Sequence, residues 1–243
     1  MLVQGSIVNA IVIICGSLLG MLIKGKLPER FKEIITQALG LSVIILGLSG
    51  SLSSIFRVAS DGTLESKDIM LMIICLVLGS IIGEAIDIEL KLNRFADFIQ
   101  KKFSGLGGNF SEGFVTATLL FCVGALAIVG SLEEGLTGNA DKLYAKSMLD
   151  GTSSFIFSTT MGIGVLFAAI PVLLYQGSIT LLAGFLKPLL TPDVISQMSL
   201  VGNILILGIG LNILKIRSIK VANMLPAIFL PIVYYLISIL FHF

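Results

Sequence analysis

Apolar residues in this chain come in long runs separated by short polar clusters, and strict alternation is absent. Such runs read as membrane-crossing helices, since about 20 apolar residues are needed to cross the hydrocarbon of a bilayer. Eight candidates follow, at 7–23, 34–56, 69–88, 113–130, 152–175, 178–190, 195–214 and 221–241. The sixth is short: as a helix its 13 residues cover only about 20 Å, so it tilts, thins the bilayer or re-enters. The expected fold is an all-α polytopic transmembrane helix bundle of seven or eight spans, with 1–243 as a single integral membrane domain. Between the third and fourth spans, 89–103 sets Leu92, Phe95, Phe98 and Ile99 on one face against Lys, Arg and Asp, the pattern of an interfacial helix.

One span breaks the apolar rule. Lys146 to Gly164, KSMLDGTSSFIFSTTMGIG, crowds Asp150 and several hydroxyls into what should be greasy. As a helix it brings Ser147, Gly151, Ser154, Ser158 and Gly162 onto one stripe, with Asp150 beside it. Hydrocarbon offers a carboxylate no water, so the stripe should face other helices or an aqueous cavity. Close helix packing, with hydroxyls bonded back to their own helix, would also account for the small residues, though less readily for Asp150.

Composition agrees with the pattern. The chain is 56% hydrophobic and 13% charged, with mean hydropathy +1.03, against roughly 25% charged in soluble domains. Its net charge of +1 decides little, because orientation follows where Lys and Arg lie. With eight spans, 11 of the 16 basic residues share one side, which places the N-terminus outside the cytoplasm. Cys15, Cys75 and Cys122 lie in apolar runs without CxxC spacing and read as small buried hydrophobes, giving neither disulfide nor zinc site. The single histidine is His242, next to the end.

The remaining polar residues in spans are few: Asn9 in the first, Glu84 and Asp87 ending the third, Asn203 and Asn212 in the seventh, Asn223 and Pro226 opening the eighth. Glu84 and Asp87 are expected to pair with Lys91 at the surface. Glu133, Glu134 and Asp141 fall in a segment read as a solvated loop, and no EF-hand, Walker, GxSxG, HExxH or strand-linked GxGxxG pattern occurs. No catalytic constellation, cofactor, metal site or nucleic-acid partner is therefore expected. A weak repeat is visible: Gly16-Ser17 precedes Gly47 by 31 residues, Gly177-Ser178 precedes Gly208 by the same 31, and Gly79-Ser80 precedes Gly124 in a longer copy. Eight spans would make one copy enter from the opposite face to the others, as in inverted-repeat transporters.

The segments GSIVNAIVIICGSLLG (5–20), LPERFKEIITQALGL (27–41), FCVGALAIVGSLEEGL (121–136), KSMLDGTSSFIFSTTMGIGV (146–165), VLLYQG (172–177) and VANMLPA (221–227), in that order, resemble the bacterial membrane proteins grouped as domain of unknown function 554. The resemblance implies a multi-spanning inner-membrane protein with a suggested transport role and no assigned substrate. Residue by residue it points to Asn9, Gly124, Ser131, Asp150, Gly151, Ser154, Gln176, Gly177, Asn223 and Pro226, with Glu134-Gly135 standing where an Asp-Gly is common.

Taken together, these features predict a secondary transporter or channel for a small hydrophilic solute or ion in the bacterial inner membrane. Asp150 would hold a cation or proton, Ser154 and Ser158 would bond the solute, and Asn9, Asn203 and Asn223 would complete the cavity. Gly124, Gly151, Gly162, Gly177 and Pro226 would serve packing or bending. The alternative is a non-transporting assembly or sensing subunit that binds partner helices. The bilayer is the expected partner in either case, and the small-residue faces leave a homo-oligomer open.

Overall fold

The computed structural model describes residues 3–24, 28–58, 62–92, 94, 110–122 and 125–241. The apolar runs are helical, as they must be where no water is at hand to satisfy backbone N–H and C=O groups. The order is α1 (Gln4–Lys24), α2 (Glu29–Ile55), a hairpin of β1 (Phe56–Val58) and β2 (Leu64–Ser66), α3 (Ile69–Ile86), α4 over 88–92, α5 (Phe110–Cys122), α6 (Ala125–Thr137), α7 (Asp141–Met161), α8 (Gly164–Phe167), α9 (Ala169–Leu181), α10 (Ala183–Leu186), α11 (Pro192–Ile213), a 3-10 segment (Val221–Phe229) and α12 (Leu230–Phe241). Among the described residues, six stretches are long and apolar enough to cross a membrane. They are Gln4–Ile23, Glu29–Ile55, Ile69–Ile86, Gly164–Leu181, Pro192–Ile213 and Val221–Leu240; the pair Phe110–Cys122 and Leu126–Thr137, bent by 59°, would make a seventh. Gly124 and all but the first residues of the expected interfacial helix lie outside the described residues.

The fifth and sixth apolar runs are cut differently from the sequence expectation. Helix α7 ends at Gly162, whose φ of 77° and ψ of −146° suit glycine and almost no other residue. The apolar stretch that follows, α8 and α9, runs to Leu181, so Ser178 to Leu181 finish a helix rather than begin one. Thr191 then opens α11: its Oγ1 accepts from Val194 N at 3.3 Å, and Pro192 occupies the first turn, where its missing N–H costs nothing.

The chain forms two compact units. The first gathers Met1–Leu39, Leu90–Cys122 and Leu126–Lys187. Within it α1 and α7 lie side by side and run the same way: Gly5 is against Leu143, Gly16 against the Gly151 carbonyl and Gly20 against Phe155 and Ser158. Helices α5–α6 and α8–α9 also run alike, since Phe110 meets Gly164 and Gly135 meets Thr180.

The second unit gathers Gly40–Glu89 and Pro188–Phe243. Here α3 opposes the 3-10 segment, with Gly79 on Ala227 and Gly83 on the Asn223 carbonyl. The later part of α2 opposes α11, with Gly40 on Leu214 and Gly47 on Leu207. Each unit thus seats a Gly-Ser-x-x-Gly helix, GSLLG or GSIIG, directly on a neighbour's backbone, which is what small residues allow where lipid supplies no hydrophobic drive between helices.

Candidate functional site

The first unit has a polar interior. Asn9 on α1, Lys146, Ser147, Asp150 and Ser154 on α7, Gln176 and Thr180 on α9, and Ser131 and Glu134 on α6 are all buried. The α7 stripe points inward as its spacing predicts, whereas Thr152, a neighbour off the stripe, is exposed. Its hydroxyl protons stay within the helix: Ser147 Oγ donates to the Leu143 carbonyl (2.7 Å), Ser154 Oγ to that of Asp150 (2.6 Å) and Ser158 Oγ to that of Phe155 (3.0 Å). Only the lone pairs of these oxygens are left for a visitor.

Asp150 is at the centre, 7% exposed, and is not alone. The Lys146 ammonium, 5% exposed and one turn earlier on the same helix, donates to Asp150 Oδ2. Asn9 Nδ2 donates to the same oxygen at 2.9 Å and to Gln176 Oε1 at 3.1 Å. The carboxylate therefore dictates the amide orientations: Asn9 must turn its NH2 toward Asp150, and Gln176 must then offer its carbonyl to Asn9. This leaves Asn9 Oδ1 and Gln176 Nε2 without a partner, although both residues are completely buried. The hydroxyls of Ser6 and Ser131, equally buried, are also unpartnered.

Glu134 closes the cluster on another side. Its Oε1 accepts from the backbone N–H of Gly5 at 2.6 Å and its Oε2 from Thr180 Oγ1 at 3.3 Å. A carboxylate at the first turn of α1 satisfies an orphan backbone donor and meets the positive end of the helix dipole. The expected solvated loop is thus largely helical and carries a buried carboxylate in Glu134; Glu133 is half-buried and paired with Lys142 at 2.5 Å, and Asp141, at the start of α7, is exposed.

The second unit has a clasp of its own. Asn223 Nδ2 donates to Glu84 Oε2 (2.6 Å), Asn223 Oδ1 accepts from Glu89 N (2.6 Å), and Lys220 Nζ reaches Glu84 Oε1 (2.5 Å). Glu84 therefore pairs with Lys220 and not with the expected Lys91, and the hydrogen bond from Lys220 to Glu84 holds the ammonium above the ordinary lysine range. Asn203 also belongs to this unit, where it packs on Gly50, and Pro226 lies inside the 3-10 segment. The six polar residues singled out in the sequence thus divide: Asn9, Asp150, Ser154 and Ser158 fall in the first unit, Asn203 and Asn223 in the second. Among the described residues no group of three or more His, Cys, Asp and Glu is placed to hold a metal ion. Cys15 is exposed on α1, not buried as expected, while Cys75 is buried.

The model of a family described as "Protein of unknown function (DUF554)" matches residues 4–236. The chain belongs to this family. It is 34% identical over 227 residues to "Uncharacterized membrane protein YdfK" of Bacillus subtilis (strain 168), covering 93% of each chain. It is 32% identical over 234 residues to "Uncharacterized protein YqgA" of Escherichia coli (strain K12), covering 94% of each. No solved structure matches it. With its apolar helices, this DUF554 member is a multi-pass membrane protein. Of the residues that carry the resemblance to DUF554, Asn9, Ser131, Asp150, Gly151, Ser154, Gln176 and Gly177 are all buried in the first unit.

Proposed function

We propose that this protein is a secondary transporter or channel for a small hydrophilic solute or ion, and that the solute is handled at the network of Asp150, Lys146, Asn9 and Gln176. The observation that supports this most is the network's incompleteness. Two amide atoms of fully buried residues, Asn9 Oδ1 and Gln176 Nε2, have no protein partner beside a buried ion pair, so they are available to a polar solute or to water. Polar groups inside a helix bundle in lipid are costly and tend to line the paths of solutes. An entering cation would compete with Lys146 for Asp150; Ser154 and Ser158 offer acceptor lone pairs. In this reading Gly151 and Gly177 serve packing, Gly162 the helix break and Pro226 the 3-10 segment, while Asn203 and Asn223 serve the second unit. No enzymatic step is proposed.

The topology fits the positive-inside rule if α7 is an eighth crossing beside the seven apolar ones. Successive crossings then alternate so that α1 and α7 run alike, α5–α6 and α8–α9 run alike, α2 opposes α11, and α3 opposes the 3-10 segment and α12. The directions of α1 with α7, α5–α6 with α8–α9, α2 with α11 and α3 with the 3-10 segment are those seen within their units. The N-terminus is then outside the cytoplasm, in a bacterial cytoplasmic membrane. An assembly subunit would need free glycine faces, but Gly16, Gly20, Gly79 and Gly83 are all occupied within their own units.

The test is flux of a panel of ions and hydrophilic solutes into proteoliposomes, comparing the parent with Lys146→Met/Asp150→Asn, which removes both charges together. At least one solute should enter with the parent and slow about tenfold or more in the variant, as expected when buried polar partners are lost. Unchanged flux for every solute removes the network from the mechanism. Absence of flux for any solute, with monodisperse protein, overturns the transport reading.

A further inference from the structure

We infer that the solute taken at this site is small, carries no net charge, and presents a hydrogen-bond donor and an acceptor side by side, as a primary amide does. The inference rests on the transport reading above. Its ground is which valences of the buried network are open and which are used. Lys146 and Asp150 satisfy each other, and Glu134 is held by the α1 N-terminus and Thr180. A charged solute would add uncompensated charge to a buried network whose own charges already cancel, or would have to break the ion pair. What stands open is neutral: the carbonyl of Asn9 and the NH2 of Gln176, on amides already joined by a 3.1 Å hydrogen bond. Because the two amides are hydrogen-bonded to each other, the open acceptor and the open donor stand on adjacent side chains. That is the complement of a primary amide, whose own NH2 and C=O lie on one carbon. Apolar helices alone would reject such a molecule, and open donors and acceptors reverse the preference.

An isosteric series isolates the charge. Acetamide, acetate and acetamidinium share a shape and differ in charge, so their entry into proteoliposomes is followed by stopped-flow light scattering. Acetamide should enter faster than into protein-free vesicles, with the two ions at the protein-free rate. Gln176→Glu, which replaces the open donor by an acceptor, should slow acetamide about tenfold or more. Should that variant fold poorly, the parent's own ranking of the three solutes remains decisive. A larger gain over the protein-free rate for acetate or acetamidinium than for acetamide overturns the inference while leaving transport standing. So does flux of some other solute that depends on Asp150 with none of acetamide. Flux of nothing at all removes the transport reading itself, and the open amide atoms then hold water only.

Discussion

Asp150 and Lys146 make the sharpest case at the scale of single residues. Two charges four positions apart on one helix face attract each other, and in a buried setting neither tolerates being left alone. Lys146→Met by itself should therefore cost about 3–5 kcal/mol, because it strands the carboxylate with only Asn9 to hold it. Adding Asp150→Asn to that variant should recover most of the loss. A double-mutant cycle on thermal or denaturant unfolding in detergent measures the difference, and a coupling near zero would contradict the buried pair. The stripe and Asp150 were legible in the sequence because helical spacing is local information. Lys146 carries the same spacing signal, but a lysine at the mouth of an apolar run is ordinarily a boundary marker, and spacing alone does not turn it inward. Glu134 was not legible at all. Its burial depends on the first turn of α1 arriving from 129 residues away in the chain, and a Gly- and acid-rich stretch looks like a loop until that partner is present.

Glycine decides how the elements fit. A methyl at Gly83 would meet the Asn223 backbone carbonyl, and a main-chain atom pinned by its own segment has no rotamer to escape into. Gly83→Ala should cost about 1–3 kcal/mol through overpacking. Gly184 in α10 faces open space, so Gly184→Ala should be neutral or stabilise by about 0.5–1 kcal/mol through helix propensity. Paired melting curves of the two variants in one detergent would show the contrast; equal effects would mean that the Gly-Ser-x-x-Gly contact is loose. Hydropathy found the apolar helices well, since their length and greasiness are set by the bilayer. It misplaced the break between the fifth and sixth runs, because a continuous apolar window is blind to one residue with positive φ. Gly162 ends α7 inside such a window, and Thr191 with Pro192 restarts the helix beyond the next.

For the whole molecule, the question is whether α7, too polar to pass as a span by composition, crosses the membrane. Counting it gives eight crossings and leaves Lys215, Arg217 and Lys220 on the cytoplasmic side with the other basic clusters; omitting it gives seven and moves those three outside. The direction of α7 argues for counting it. It lies along α1 and runs the same way through contacts from Gly5 to Gly20, about 15 residues or some 22 Å of helix, most of a hydrocarbon thickness. A polar helix can occupy that depth because its stripe is turned to α1 and its remaining face carries Met148 and Leu149 outward. In a chain with Cys15, Cys75 and Cys122 replaced by alanine, Arg217→Cys should resist a membrane-impermeant maleimide in intact cells and react after permeabilisation. Glu65→Cys, in the hairpin after α2, should react in intact cells under either count. Labelling of Arg217→Cys from outside would put α7 on one side of the membrane and undo the eight-crossing arrangement. A shielded Glu65→Cys would instead reverse the orientation of the entire chain.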